Sequence, residues 1–118
     1  DAAVRQLAGL GGLKHLELND TAITSAALAG LPNMTELEML ELNRTQIDDA
    51  GLRVLQGLTN LRRLELRGTK ISDAGLLQLK PLAHLRILVL DDDQGAAATR
   101  DDVLRSMPNL SLPLGVPV

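Results

Sequence analysis

Three glutamates recur at a constant spacing of 24 residues, at Glu17, Glu41 and Glu65, and each stands between two leucines. Aligned carboxylates could attract a basic protein surface, hold a cation, or serve as the acid pair of a retaining glycosidase if they lay about 5 Å apart. They could equally form an ordinary solvated surface balanced by neighbouring cationic side chains. The chain has no aromatic residue to bind a sugar, which weighs against a glycosidase.

The remaining residues with reactive side chains form no recognisable site. His15 and His84 fall in different repeats, too far apart to act together, and no serine has a His–Asp partner in the repeat layout. Asp91 begins an acidic run, but Ala96 stands where a calcium loop requires glycine. The sequence therefore predicts no catalytic residue, no metal site and no cofactor.

The glutamates belong to a longer pattern of leucines. Segments of the form Leu-x-x-Leu-x-Leu begin at Leu13, Leu37, Leu61 and Leu85, each 24 residues after the one before. Their Leu-x-Leu part alternates with the period of a strand that buries one face. A fixed period of this length indicates a stacked-repeat architecture, because one unit cannot bury its own leucines whereas neighbouring units can.

A helical segment follows each predicted strand. Apolar residues then recur every three positions, as in the segment 51–58, which is typical of a short helix or a 3₁₀ turn. Thr24, Asp48 and Ser72 precede these segments and are the predicted N-caps. Strands that alternate with helices in this way run parallel and are joined by right-handed crossovers.

The repeat resembles that of the leucine-rich repeat family, whose pattern is Leu-x-x-Leu-x-Leu-x-x-(Asn/Cys)-x-Leu. The stretches 45–52 and 69–76 both read Thr-x-Ile-x-Asp-Ala-Gly-Leu, which is similar to a bacterial and protist-like subset. The resemblance implies an α/β solenoid, right-handed, with a parallel sheet on its concave face and short helices or 3₁₀ turns on its convex face. Thr21, Thr45 and Thr69 stand where the family has Asn, so they are expected to take over part of its bonding to the neighbouring coil.

The 118 residues are predicted to form a single leucine-rich repeat domain. Residues 1–12 supply half a repeat, and full repeats begin at 13, 37, 61 and 85. Residues 99–118 are the predicted C-terminal cap, with Thr99 as the N-cap of its helix. Strand 13–18 would be a sheet edge, so self-association through it is a further prediction.

Function is expected on the sheet face, which we define as the surface formed by strand residues between and just after the framework leucines. A partner can be recognised only by these residues, because the leucines are needed for packing. The predicted partner-binding residues are His15, Glu17, Asn19, Met39, Glu41, Asn43, Arg63, Glu65, Arg67, Ile87, Val89 and Asp91.

Composition narrows the kind of partner. The chain has no Phe, Tyr or Trp and a net charge of −3, which disfavours nucleic acid. It has no cysteine and no apolar run long enough for a membrane span. The expected partner is therefore another protein, with a basic surface as one option.

The predicted function is protein–protein interaction through the sheet face, without catalysis. The alternatives are a structural spacer and the substrate-recognition arm of a larger ligase- or kinase-type protein. A cytoplasmic location is favoured because no signal peptide is visible. The nine arginines against three lysines favour a bacterial source.

Overall fold

The core of the fold is one sheet of short parallel strands. A computed structural model describes residues 12–28, 35–91, 97–107 and 110. Neighbouring strands are offset by 24 residues at every step, which confirms the parallel repeat stack expected from the leucine pattern. The described strands follow the order β1-β2-β3-β4 and are β1 (His15–Glu17), β2 (Met39–Glu41), β3 (Arg63–Glu65) and β4 (Ile87–Val89).

Short helical elements connect the strands on one side of the sheet. Residues 25–28 form a 3₁₀ turn after β1. The described α-helices are α1 (Asp49–Leu55), α2 (Asp73–Leu77) and α3 (Ala97–Ser106), which follow β2, β3 and β4 in turn. In the described part of the chain, no helix combines the length and apolar character that crossing a membrane requires.

The first two helices begin at the predicted caps. The Asp48 side chain accepts a hydrogen bond from the Ala50 N–H, and the Ser72 side chain accepts one from the Gly75 N–H. These bonds satisfy donors that a helix leaves open at its start. The caps therefore fix where each coil turns from strand to helix.

The predicted cap at Thr99 is wrong, because α3 begins two residues earlier at Ala97. Alanine has the highest helix propensity, so the helix extends back into the alanine run. Thr99 consequently lies within the first turn. The predicted half repeat, apart from Gly12, and residues 92–96 and 111–118 lie outside the described residues.

Leucines fill the space between the sheet and the helices. Leu40 and Leu64 from the strands, and Leu52 and Leu55 from α1, are all 0% exposed. They belong to one cluster that extends from β1 to α3. Burial of a leucine side chain contributes about 1.5–3 kcal/mol, so shared burial between coils holds the stack together.

The glycine of the repeated Asp-Ala-Gly-Leu sequence allows each helix to approach the coil before it. A Cβ at Gly51 would lie 2.9 Å from Ile47 Cγ2 and Ser25 Oγ, and 3.1 Å from Leu28 Cδ1. Contacts of 2.9 Å are shorter than carbon atoms tolerate without movement. The glycine is therefore required by packing between coils.

We expect Gly51→Ala to destabilise the fold. Overpacking costs about 1–3 kcal/mol, whereas the better helix propensity of alanine returns only about 1 kcal/mol. Urea unfolding should therefore show a net loss of about 1 kcal/mol. Gly57→Ala is the matched control, since its Cβ would meet only the Val54 carbonyl oxygen at 3.6 Å. Equal stability of the two variants would contradict this account of the glycine.

Candidate functional site

The sheet face is arranged in the columns that the repeat predicts. His15, Met39, Arg63 and Ile87 lie in register on successive strands. Glu17, Glu41, Glu65 and Val89 form the next column in the same way. These eight predicted residues are therefore brought onto one surface, although their exposure differs strongly along it.

Two asparagines, Asn19 and Asn43, link successive coils and are called here the asparagine ladder. Asn19 Oδ1 accepts the backbone N–H of Asn43 at 2.9 Å, and its Nδ2 donates to Glu41 at 3.0 Å. Asn43 repeats this arrangement one coil later: it accepts the Arg67 N–H at 2.9 Å and donates to Glu65 at 2.8 Å. Each amide thus bonds both a backbone group and a carboxylate of the next coil.

The asparagine ladder corrects two expectations: that Asn43 is available to a partner, and that the residues joining the coils stand at the threonine positions. Asn43 is only 6% exposed, so the prediction that it presents its side chain to a partner is wrong. Its amide is buried because both of its polar ends are used inside the fold. The asparagines were recognisable in the sequence by their 24-residue spacing, but they stand two positions before the place where the family resemblance puts the ladder residue.

The threonine hydroxyls bond within their own coils, whereas the resemblance implied bonds to the neighbouring coil. The hydroxyls of Thr21, Thr45 and Thr69 each donate to the carbonyl three residues earlier in the same coil, at 2.6–2.8 Å. A short side chain following a turn reaches its own backbone more easily than the next coil. Among the bonds described here, the threonines therefore close the turn and the asparagines join the coils.

Glu41 and Glu65 are each held by a second donor. His15 Nε2 lies 2.7 Å from Glu41 Oε2, and Arg63 Nε donates to Glu65 Oε2 at 2.7 Å. These two glutamate side chains are only 15% and 13% exposed. Their oxygens are therefore already oriented within the sheet face. Glu17, in contrast, is exposed and has no hydrogen bond to another described residue.

The asparagine and histidine bonds lower the pKa of Glu41. The Asn19 amide makes the largest contribution and the His15 bond the next, and together they hold this pKa below its ordinary value of 4.5. A hydrogen bond to the carboxylate favours its charged form. Glu41 therefore remains ionised at neutral pH.

The pattern changes in the third and fourth coils. Arg67 takes the asparagine position and offers no acceptor, and its Nε is buried without a partner among the described residues. One coil later, Val89 replaces the glutamate. Asn19 thus faces Glu41, and Asn43 faces Glu65. At the corresponding positions of the third and fourth coils, Arg67 replaces the amide and Val89 replaces the carboxylate.

The expectation that Val89 is exposed is also wrong. Val89 is 5% exposed, although it does not belong to the leucine core cluster. Val89 lies in register beside Glu65 of the neighbouring strand. Val89 therefore cannot offer a contact surface, whereas Ile87 on the same strand is half-buried and accessible.

One group of side chains has the composition of a metal site. His15, Glu17 and Glu41 each place a ligand atom within 4.8 Å of the others, and they are the sole such group in the described ranges. Both Glu41 oxygens already accept bonds, from His15 and Asn19, which a cation would have to displace. The absence of a metal site therefore stays a prediction.

The accessible part of the sheet face consists of the first column together with Arg67 and Asp91. His15 is exposed, and Met39, Arg63 and Ile87 are half-buried, with no partner strand above them in the described chain. Arg67 and Asp91 are also half-buried. Asp91 accepts the Gly68 N–H at 2.6 Å, so it helps to close the turn of the third coil.

Parallel strands, short capped helices and a side-chain ladder between coils define a leucine-rich solenoid. The chain belongs to the leucine-rich repeat family, and residues 57–79 match the family described as "Leucine Rich repeat". None of the curated proteins matches the chain.

Two solved structures from Listeria monocytogenes have similar folds. An internalin C2 is 35% identical over 92% of this chain and 44% of its own, with a TM-score of 0.73. An internalin (inlF) is 19% identical over 97% of this chain and 38% of its own, with a TM-score of 0.61, and shows the fold alone. This chain spans less than half the length of either protein.

We expect Asn43→Ala to be strongly destabilising. It leaves the Arg67 N–H without its acceptor and removes a donor from Glu65, which together cost about 2–4 kcal/mol. The loss can be measured by urea unfolding. Gln46→Ala is the control, because this exposed side chain makes no described bond, and it should change stability by less than about 0.5 kcal/mol. Similar losses in both variants would rule out the ladder as a stabilising element.

We expect Asn19→Ala to raise the pKa of Glu41 towards its ordinary value. Because the folded pKa is lowered, the stability that Glu41 contributes is present above the unfolded pKa and is lost as pH falls through the folded pKa. Carboxyl NMR titration of Glu41 measures the shift directly. Asn60→Ala is the control, since that amide bonds the Thr35 carbonyl. An unchanged Glu41 titration in Asn19→Ala would contradict the assigned cause.

Proposed function

We propose that this domain binds another protein through the accessible part of its sheet face. The proposal rests on a difference between two sets of sheet-face residues: one set bonds neighbouring coils, and the other does not. The asparagines and two of the glutamates are engaged by neighbouring coils, whereas Met39 and Ile87 are apolar side chains that face away from the core and leave part of their surface in solvent. Methionine and arginine are enriched at the centres of protein interfaces.

Membership of the leucine-rich repeat family supports binding as the class of function. Fold alone does not determine the partner, so the surface must be argued from its own residues. Arg63 lies in register between Met39 and Ile87, which makes a mixed apolar and cationic strip across the strands. A strip of this kind suits a partner that inserts apolar side chains.

The partner's charge is proposed to be positive near the β1 end of the sheet face. Glu17 is exposed, and Glu41 is held ionised by its bonded neighbours. Arg63 already pairs with Glu65, so the free negative charge is concentrated on the first two strands. A basic group on the partner would meet this region while its apolar groups meet Met39 and Ile87.

The proposal predicts that the double variant Met39→Asp/Ile87→Asp loses binding while remaining folded. Partners captured on the wild-type domain would first be identified by mass spectrometry, and affinity would then be compared by calorimetry. Charges in the centre of an interface cost several kcal/mol, so the affinity should fall about 100-fold or more. Circular dichroism melting checks that the variant is folded.

Leu77→Asp is the matched control, since Leu77 is 38% exposed on α2, away from the sheet face. It should leave affinity unchanged. If the double variant binds as tightly as the wild type, the sheet face is not the interface. A structural spacer would show no partner that is sensitive to either change, and a recognition arm would bind a substrate of the catalytic domain to which it is joined.

A further inference from the structure

Arg67 stands at the asparagine position of the third coil but cannot replace the asparagine. A guanidinium has no acceptor, so it cannot take a backbone N–H of the next coil as Asn19 and Asn43 do. The Arg67 side chain also belongs to none of the ion pairs found among the described residues. The bonding that joins the coils therefore gives no reason for an arginine at this position.

The donors of the Arg67 side chain are not satisfied within the described fold. Its Nε is buried and has no hydrogen-bond partner there. A buried donor without a partner costs about 1–3 kcal/mol, and buried polar groups are normally bonded. The residue as a whole is only half-buried, so part of the side chain remains open to another molecule.

The acidic side chains at neighbouring positions of the sheet face are bonded to other donors. Glu65, two residues earlier, accepts Asn43 Nδ2 with one oxygen and Arg63 Nε with the other. Asp91 has the same repeat position one coil later and accepts the Gly68 N–H at 2.6 Å. Neither acid forms an ion pair with Arg67. The guanidinium thus has no bonded counterion in the described part of the chain.

The backbone of Arg67 is held on both sides. Its N–H donates to Asn43 Oδ1 at 2.9 Å, and its carbonyl accepts the Arg44 N–H at 2.6 Å. These bonds fix the point from which the side chain leaves the sheet. A group that is positioned before binding loses less freedom on binding, which favours affinity.

We propose that Arg67 binds the carboxylate of an aspartate or glutamate side chain of the protein partner, an inference that rests on the proposed binding through the sheet face. The planar guanidinium presents paired N–H donors that match the two oxygens of a carboxylate. The carboxylate need not reach Nε itself, because the charge is delocalised over all three nitrogens.

The position of Arg67 relative to the apolar strip sets a spacing on the partner. Ile87 lies in register with Arg63, which precedes Arg67 by four residues. At about 3.3 Å per residue, the two contact points are separated by up to about 13 Å along the strand direction. The partner therefore presents an acidic group at about this distance from the apolar group that meets Ile87.

The surroundings of Arg67 favour a carboxylate over a phosphate. A phosphoryl group on a side chain carries a charge of about −1.5 to −2, which exceeds that of one guanidinium. Glu65 and Asp91 lie at the neighbouring positions and would repel the additional charge. Arg63 is already bonded to Glu65 and so does not supply a second free cation.

The first test concerns the free domain and needs no ligand. Arg67→Met keeps an apolar stem but removes the guanidinium with its unsatisfied donor. We expect the urea midpoint of this variant to equal or exceed that of the wild type. A clear fall in the midpoint would show that the guanidinium supports the fold, and it would overturn the proposal.

The second test uses random 12-residue peptides displayed on phage, selected on the wild-type domain and on Arg67→Glu. The wild type should enrich Asp or Glu at one peptide position, and Arg67→Glu should enrich Lys or Arg there. Peptides selected on the wild type should bind Arg67→Gln about 10-fold or more weakly, as expected for loss of a charge-assisted pair. Arg53→Gln is the matched control, because Arg53 is exposed on α1, and it should leave affinity unchanged.

The outcomes separate this inference from the proposed function. Peptides that lose affinity for Met39→Asp/Ile87→Asp but bind Arg67→Gln as they bind the wild type would overturn the role of Arg67 alone. Peptides insensitive to the double variant, or no enriched peptide, would overturn both proposals. Replacing the selected acidic residue with phosphoserine should weaken binding, and tighter binding would identify phosphate as the ligand instead of a carboxylate.

Discussion

Every feature of this molecule depends on the hydrogen bonds that join each strand to its neighbour in parallel, one 24-residue step at a time. A coil alone exposes its leucines, and burial is completed only when the next coil stacks on it. The backbone bonds fix the register in which that burial occurs. Because the register never slips, residues of one repeat position are neighbours across the whole sheet, and a substitution in one coil acts directly on the next.

The asparagine ladder converts that register into a constraint on side chains. Asn19 and Asn43 each satisfy a backbone N–H and a glutamate of the following coil. A row of carboxylates that would repel one another is thereby held by donors placed between them. The sequence alone suggests that the glutamates form a charged surface. In the structure, Glu41 and Glu65 also accept hydrogen bonds from asparagines that join the coils.

The leucine spacing was sufficient to predict the strands, their order and the capped helices, because these depend on period and burial. It was not sufficient to predict which polar residues join the coils. Thr45 and Asn43 are both short hydrogen-bonding residues in the turn after β2, and only the backbone path decides that one closes the turn while the other reaches the next coil. Val89 shows a similar limit: alternation gives its face correctly but does not give its exposure, which is only 5%.

Variation between repeats then separates residues that hold the stack from residues available to a partner. Where the ladder position is asparagine, the next coil supplies glutamate; where it is Arg67, the next coil supplies Val89. In the first column, His15 and Arg63 still bond Glu41 and Glu65, but His15, Met39, Arg63 and Ile87 differ in every coil without changing the backbone bonding beneath them. Met39 and Ile87 have no side-chain hydrogen-bonding group, so they are the members of this column at which binding specificity can change without loss of the fold.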